Sequence, residues 1–267
     1  MPNSQQSVDD PWTVLQRELD SWAESGKNAT LWWRDDDAIE ETPQLLMLDA
    51  LSREMKIPVS VAVIPARMRD SLPHFLQARD NFIAIQHGYS HSSYAAKGAK
   101  KIELGGERPT DEIRTELTSG RQQLGTAFGK QFIPVLVPPW NRIEPRIYPA
   151  LVSAGFSGVS TMGARHSAHP VKGLMQVNTH LDPINWRHGR GFIGEASAVE
   201  QIYRHLSARR RGGADIAEPG GILTHHLDQN DEVWAFCRKL FGILNRHPAV
   251  QWLSARQIWT TEAKNTK

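Results

Sequence analysis

Asn81-Phe82-Ile83-Ala84-Ile85-Gln86-His87-Gly88-Tyr89-Ser90-His91 runs an apolar segment into two histidines four residues apart. The apolar part reads as a buried strand, so the pair stands where a strand hands over to a loop or helix. In α/β folds such strand ends carry the sites. On one helical turn, side chains at this spacing have Cβ atoms about 5–6 Å apart, close enough to share a metal ion. In a chain with eleven histidines the spacing also arises by chance. The other strand ends therefore decide its meaning.

Upstream, Trp32-Trp33-Arg34-Asp35-Asp36-Asp37 brings an apolar strand, Thr30–Arg34, to an abrupt end in three carboxylates. Adjacent carboxylates repel unless a cation sits among them, although a solvated loop or helix cap also uses such residues. Downstream, the strand Gly221–Thr224 runs into His225-His226-Leu227-Asp228. In a parallel barrel all strand C-termini face one way, so these three ends would meet at one rim.

The remaining chain supports that architecture. Asp10-Pro11 opens a helix with Trp12, Leu15, Leu19 and Trp22 at helical spacing, stopped by Gly26. Thr42-Pro43 caps the next, Val59–Ile64 is a strand, and a short helix spans Ser71–Arg79. Thr110 caps a helix to Phe128, and the strand Phe132–Val137 meets the rigid corner Pro138-Pro139-Trp140-Asn141-Arg142. Helix Pro145–Ala154, strands Ser157–Ser160 and Leu174–Asn178, helices Glu195–Arg210 and Asp231–Arg246, and a strand and helix around Val250–Trp259 follow. Alternation of this kind predicts a parallel sheet covered by helices. Ala95–Pro109, polar and Gly-rich, reads as a loop over the site mouth.

Composition bounds the function. A chain of 267 residues, 40% hydrophobic, can bury one large core, so 1–267 is expected to be a single domain with tails at 1–9 and 261–267. The net charge is +2, and Arg209-Arg210-Arg211 before Gly212-Gly213 reads as a solvated helix end, which argues against nucleic acid as partner. Cys237, alone, makes no internal disulfide and reads as a core thiol. The first ten residues have no basic or apolar signal region and no run approaches the roughly 18 apolar residues of a membrane span, so the expected location is cytoplasmic.

Five short motifs between Thr30 and Asp228 resemble the polysaccharide deacetylases of carbohydrate esterase family 4, the NodB homology family, as a divergent member. Its Thr-Phe-Asp-Asp-Gly is similar to Trp33–Asp37, and its His-(Ser/Thr)-x-x-His to His87–His91. Its Arg-x-Pro-aromatic motif is similar to Val137–Trp140, Asp-x-x-Asp-Trp to Asp182–Trp186, and Leu-x-His to Leu223–His225. The resemblance implies a single-domain distorted (β/α) barrel of about seven parallel strands. It implies a metal-dependent hydrolase that removes an N-acetyl or formyl group from an amino sugar of a glycan or its precursor. Asp36, His87 and His91 would hold one divalent metal ion, zinc first, with cobalt or manganese as other choices. Asp35 would be the base toward a metal-activated water, His225 the acid, and Trp140, with Pro139 and Trp186, would line the oxyanion and substrate side.

The departures leave alternatives open. Glycine after the aspartates is Asp37, so a register shifted by one would make Asp36 the base and Asp37 the ligand; His226 competes with His225 for the acid. The family arginine is Val137, for which Arg34 or Arg142 could substitute, and the orienting aspartate is Asn185, leaving Asp182. Trp32, Trp33, Trp140 and Trp186 could stack on sugar rings. Gly88 after His87 excludes a His-Glu-x-x-His protease, and no Gly-x-Ser-x-Gly occurs. The alternatives are a sugar-binding member of the fold without turnover and a metal-free hydrolase of cyclic amides.

Overall fold

The computed structural model describes residues 10–187 and 189–260; the expected tails 1–9 and 261–267 lie outside them. In chain order the first half runs α1 (Pro11–Glu24), β1 (Ala29–Ala38), α2 (Pro43–Met55), β2 (Val59–Val63), α3 (Ser71–Gln77), β3 (Phe82–His87), α4 (Thr110–Phe128) and β4 (Phe132–Val137). The second runs α5 (Tyr148–Ser153), β5 (Gly158–Val159), β6 (Met175–Gln176), β7 (Ile184–Asn185), β8 (Gly191–Phe192), α6 (Glu195–Arg211), β9 (Gly220–Thr224), α7 (Asp231–Arg246), β10 (Val250–Trp252) and α8 (Ala255–Thr260). Eight strands form one parallel sheet in the order β10-β1-β2-β3-β4-β5-β6, with β9 also paired to β1. The sheet curls into a half-barrel, and β7 and β8 make a separate antiparallel pair.

Strand β1 organises the sheet because it pairs with three neighbours: β10 along Ala29–Leu31, β9 along Leu31–Asp35, and β2 from Trp33 to Ala38. Side chains alternate across a strand, so its residues divide between two layers. Leu31 and Trp33 face the helices and join the large core with α1, α2, α6 and α7. Trp32 faces the barrel interior with Ala62, Ile85, Val135 and Val137, where α8 closes the bottom through Trp259. The Trp32 and Trp259 rings meet edge-on at 5.3 Å. Burying each such side chain contributes roughly 1.5–3 kcal/mol, and both tryptophans of the pair Trp32-Trp33 are used in this way, closed to any sugar.

The helix caps follow the sequence at α1 and α2, where Asp10 and Thr42 accept from Thr13 N and Leu45 N. At α4 the helix begins on Thr110 itself, and no side chain caps it. The triple arginine departs from the expected solvated end. Arg209 is buried, donating to Thr30 O, Thr30 Oγ1 and Ile216 O beside the Trp22 ring, and Arg210 forks onto Glu18. Long arginine stems reach back over the apolar seam between α1 and α6, a use of charge that a sequence run does not reveal. Cys237 is a buried core thiol, as expected, and burial pushes its pKa up. Among the described residues no helix is long and apolar enough to cross a membrane.

Gly158 shows how tightly α8 seats. A Cβ there would lie 2.5 Å from Trp259 Cδ1 and 2.8 Å from Val135 Cγ2. Gly158→Ala therefore overpacks the barrel floor and should cost about 1–3 kcal/mol, read as a lower urea midpoint at unchanged slope. An unchanged midpoint would mean that α8 does not plug the barrel in solution.

Candidate metal centre

The strand β1 does not stop at the acidic triplet; it runs through it to Ala38. Alternation carries Arg34 and Asp36 to the interior face and Asp35 to the helix side. Arg34, wholly buried, places Nε 3.0 Å from Asp36 Oδ1 and donates from NH2 to Oδ2 at 3.1 Å. The same guanidinium donates to Ser160 Oγ at 2.7 Å and Asn141 Oδ1 at 2.7 Å. Burial lowers the Arg34 pKa, and the Asp36 charge acts against that.

Asp35 points the other way. Its Oδ2 accepts from Thr224 Oγ1 at 2.6 Å and His226 N at 3.1 Å, and its Oδ1 accepts from His226 Nδ1 at 2.5 Å. Both residues are fully buried. They tie β1 to the turn after β9 on either side of His225.

Asp37 has φ +72°, and the pairing of β1 with β2 shifts register between Asp35 and Ala38. A break of this kind re-aims a side chain at a strand end. Here it brings Asp37 Oδ1 to 3.1 Å from His87 Nε2 and 3.3 Å from His91 Nε2. The carboxylate that faces both histidines is thus Asp37, where the first sequence register put Asp36. The pleat accounts for the difference, because Asp36 is turned to Arg34.

The histidines also meet differently from the expected helical turn. His87 ends β3, Gly88 has φ +54° and His91 has φ +57°, so a tight non-helical turn folds the second ring toward the first, centroids 5.0 Å apart. His87 Nδ1 lies 3.0 Å from Val137 O and must donate to it, so Nε2 is the ring nitrogen that faces Asp37. Trp140, itself at φ +56°, packs its ring on His91 at 4.6 Å.

Electrostatics fit a cation at this point. Burial alone would raise the Asp37 carboxyl, but His87 above all, with His225 and His91, holds it well below the usual range. Burial and the His87 charge push His91 down to about 4, which leaves its lone pair free near neutral pH. Burial would lower His87 as well, yet the Asp36 and Asp37 carboxylates outweigh it and raise its pKa. Asp37 Oδ1 is buried without a hydrogen-bond partner. Two imidazole nitrogens and the orphaned oxygen of one carboxylate suit a divalent ion with open positions.

The other predicted residues divide. His225 Nε2 lies 4.0 Å from Asp36 Oδ2, and its ring meets Trp186 edge-on at 4.6 Å. Trp186, exposed at the rim, donates from Nε1 to Asp182 Oδ2 at 2.7 Å. Asp182 therefore orients the tryptophan, and burial raises its pKa against the pull of His225. Asn185 accepts from Arg187 N and takes no part at His225. Arg34 pairs with Asp36, whereas Arg142 donates to Lys101 O on the surface. Pro139 is buried beside Gly88. The segment 95–109 is pinned rather than draped over the mouth: Leu104 bridges to Ile143 and Glu103 is wholly buried. Asn141, Ser160 and Glu103 were missed, since polar loop residues show no period in the sequence.

A second trio, His180, His205 and Glu218, also lies close together, fully inside the protein. His180 Nδ1 accepts from Gly221 N at 3.0 Å, so its Nε2 carries the proton and points that proton, not a lone pair, at Glu218 Oε2, 3.5 Å away. The two rings stack at 3.3 Å with planes 16° apart. The proton on His180 Nε2 argues against a ligand set here.

No family model matches the chain, and no curated protein sequence matches it significantly. Solved structures do. A Mycobacterium smegmatis protein assigned as a polysaccharide deacetylase superposes with a TM-score of 0.64 at 18% identity, over 91% of this chain and 93% of that one. A family 4 acetyl xylan esterase from Clostridium thermocellum, in complex with cobalt, gives 0.53 at 13% identity, over 88% and 92%. A peptidoglycan N-acetylglucosamine deacetylase gives 0.53 at 14% identity, over 91% and 97%. The chain thus has the fold of the polysaccharide deacetylases.

The buried trio has a measurable consequence. Burial, then the His180 and Arg209 charges, lowers His205 to about 2, against about 6.5 in the unfolded chain. The unfolded state therefore binds the extra proton as pH falls through 6.5, and stability is lost on the acid side. Between pH 7.5 and 5 this histidine should cost about 2 kcal/mol. Urea titrations of the wild type and His205→Leu at both pH values test it: the variant's pH dependence should be smaller by that amount, and equal slopes would show that His205 titrates normally when folded.

Proposed function

We propose that the protein is a metal-dependent hydrolase that removes an N-acetyl or formyl group from an amino sugar of a glycan or glycan precursor, as a divergent polysaccharide deacetylase. The observation that carries the reading is the convergence of His87 Nε2 and His91 Nε2 on one orphaned oxygen of Asp37, beside the separately held Asp36 and His225. The deacetylase and esterase neighbours on the same fold support the acyl-sugar class. Fold alone would not, because one fold hosts many chemistries.

In this reading Asp37, His87 and His91 hold the ion, which is zinc or, as for the esterase neighbour, cobalt, with manganese a further choice. When bound, such an ion acidifies a water and polarises the acyl carbonyl. Asp36 is the base, aimed by the two contacts with Arg34 and taking the proton of the attacking water. His225 gives a proton to the departing amine, so the amide is split into a carboxylic acid and a free amino sugar. The backbone N–H of Trp140 is offered to the oxygen that becomes negative in the transition state. Trp186, exposed and set by Asp182, is the surface on which a sugar ring stacks. Asp35 and His226 fix the His225 turn from behind rather than touching substrate.

The roles separate by variant. Elemental analysis after purification should find about one divalent ion per chain in the wild type. His87→Ala and Asp37→Asn should lose it. Asp36→Asn and His225→Ala should keep it while amine release from N-acetylated chito-oligosaccharides falls by about 10²–10⁴-fold. An ion retained in Asp37→Asn but lost in Asp36→Asn would return the ligand set to the other register. A wild type that binds an ion yet releases no amine from any N-acyl sugar would favour the sugar-binding alternative, and no ion at all would favour the metal-free one.

A further inference from the structure

We propose that Glu103 is a positioning residue for the metal-binding turn: its carboxylate fixes the Tyr89-Ser90 backbone, and through it His91, and it fills the space that makes glycine necessary at position 88. The inference rests on the metal reading of Asp37, His87 and His91, but its geometry stands apart from it. Glu103 Oε1 accepts from Tyr89 N at 3.1 Å, Ser90 N at 2.8 Å and Ser90 Oγ at 3.3 Å. Two successive amides directed at one carboxyl oxygen make a small nest, and this one is occupied by the protein's own side chain. Glu103 Oε2 is buried with no hydrogen-bond partner and lies 2.2 Å from where a Gly88 Cβ would stand. Pro139 Cγ closes the same space at 2.6 Å.

The turn needs such a hold. His91, a ligand candidate, sits at φ +57°, a conformation that non-glycine residues keep only where their surroundings over-determine it. The residue before it is Ser90, which Glu103 grips twice. Glu103 is in turn anchored from both sides. Next to it Leu104 lies in the core with Ile113, Leu117 and Ile147, and Arg108 donates to Glu103 O while pairing with Glu116 at 2.8 Å. Further on, Gly106 N donates to Glu144 Oε1 at 2.8 Å. The segment expected to cover the mouth thus acts as a brace under the second histidine.

The test uses the metal-free full chain, zinc as the probe, and two variants, Glu103→Gln and Glu103→Ala. Calorimetric titration should show zinc affinity reduced about 10–100-fold in Glu103→Ala. It should be largely kept in Glu103→Gln, whose amide oxygen can still accept from Tyr89 N and Ser90 N. Amide hydrogen exchange without zinc is the second readout: Tyr89 and Ser90 should be protected in the wild type and in Glu103→Gln and exchange faster in Glu103→Ala. Unchanged zinc affinity and unchanged protection in a folded Glu103→Ala would overturn the proposal. If the wild type takes up no zinc while the amide pattern follows Glu103, the metal reading fails and the brace stands. If zinc binds and the amides ignore Glu103, the reverse holds.

Discussion

A guanidinium sealed inside a barrel has to be answered by a carboxylate on the same face. Arg34 has no solvent exposure, and an unanswered charge there would cost several kcal/mol. The nearest residue on its own side of β1 is two along, Asp36, and the ion pair between them sets the register of the whole acidic triplet. Asp35 is then forced outward, where His226 and Thr224 satisfy it. Asp37 would follow it outward if the strand stayed regular. The register break and the positive φ at Asp37 turn it instead to the histidines. One pair thus divides three consecutive aspartates into a helix-side anchor, an interior partner for arginine and a carboxylate that faces two histidines at the rim.

Much of the fold was legible in the sequence because it rests on alternation: strand, helix and turn residues recur at lengths that only a parallel sheet with outer helices accommodates, and the three chemically unusual strand ends do share one rim. The register within β1 was not legible, for a physical reason. A parallel strand is buried on both faces, so Leu31, Trp32 and Trp33 are all apolar and the period of two that would separate inside from outside vanishes. The spacing of His87 and His91 was read rightly as a pair and wrongly as a helix. Four residues close a helical turn, but they also close a tight loop when Gly88 and His91 take positive φ. Glu103 and Asn141 come from irregular segments, where position depends on distant anchors and no local pattern marks them.

The likeness to solved deacetylases and esterases lies in the course of the chain, while the polar side chains depart from the motifs the sequence resembles. Where the resembled motif has an arginine, β4 has Val137, which packs in the barrel interior. The guanidinium comes from Arg34 on the neighbouring layer of side chains and reaches Asn141 and Ser160 at the ends of β4 and β5. Where the motif has an aspartate before tryptophan, Asn185 is turned to the backbone and Asp182 holds Trp186. A charge needed at a point in space can be delivered from another strand without altering the barrel. Low identity and a shared fold are therefore compatible.

The two histidine groups of this protein show how little of a metal site resides in residue type. Each has two imidazoles and one carboxylate within reach of one another. In one, the inner ring nitrogen of His87 faces the carbonyl of Val137 and must donate, so the outer nitrogen is the one that can shed its proton and offer a lone pair. In the other, the inner nitrogen of His180 faces the amide of Gly221 and must accept, so the outer nitrogen presents a proton. The difference is which end of a peptide group lies behind the ring. That is set by strand register, at Val137 on β4 and Gly221 on β9, and so the capacity of each group to hold a cation follows from the same pairing that builds the sheet.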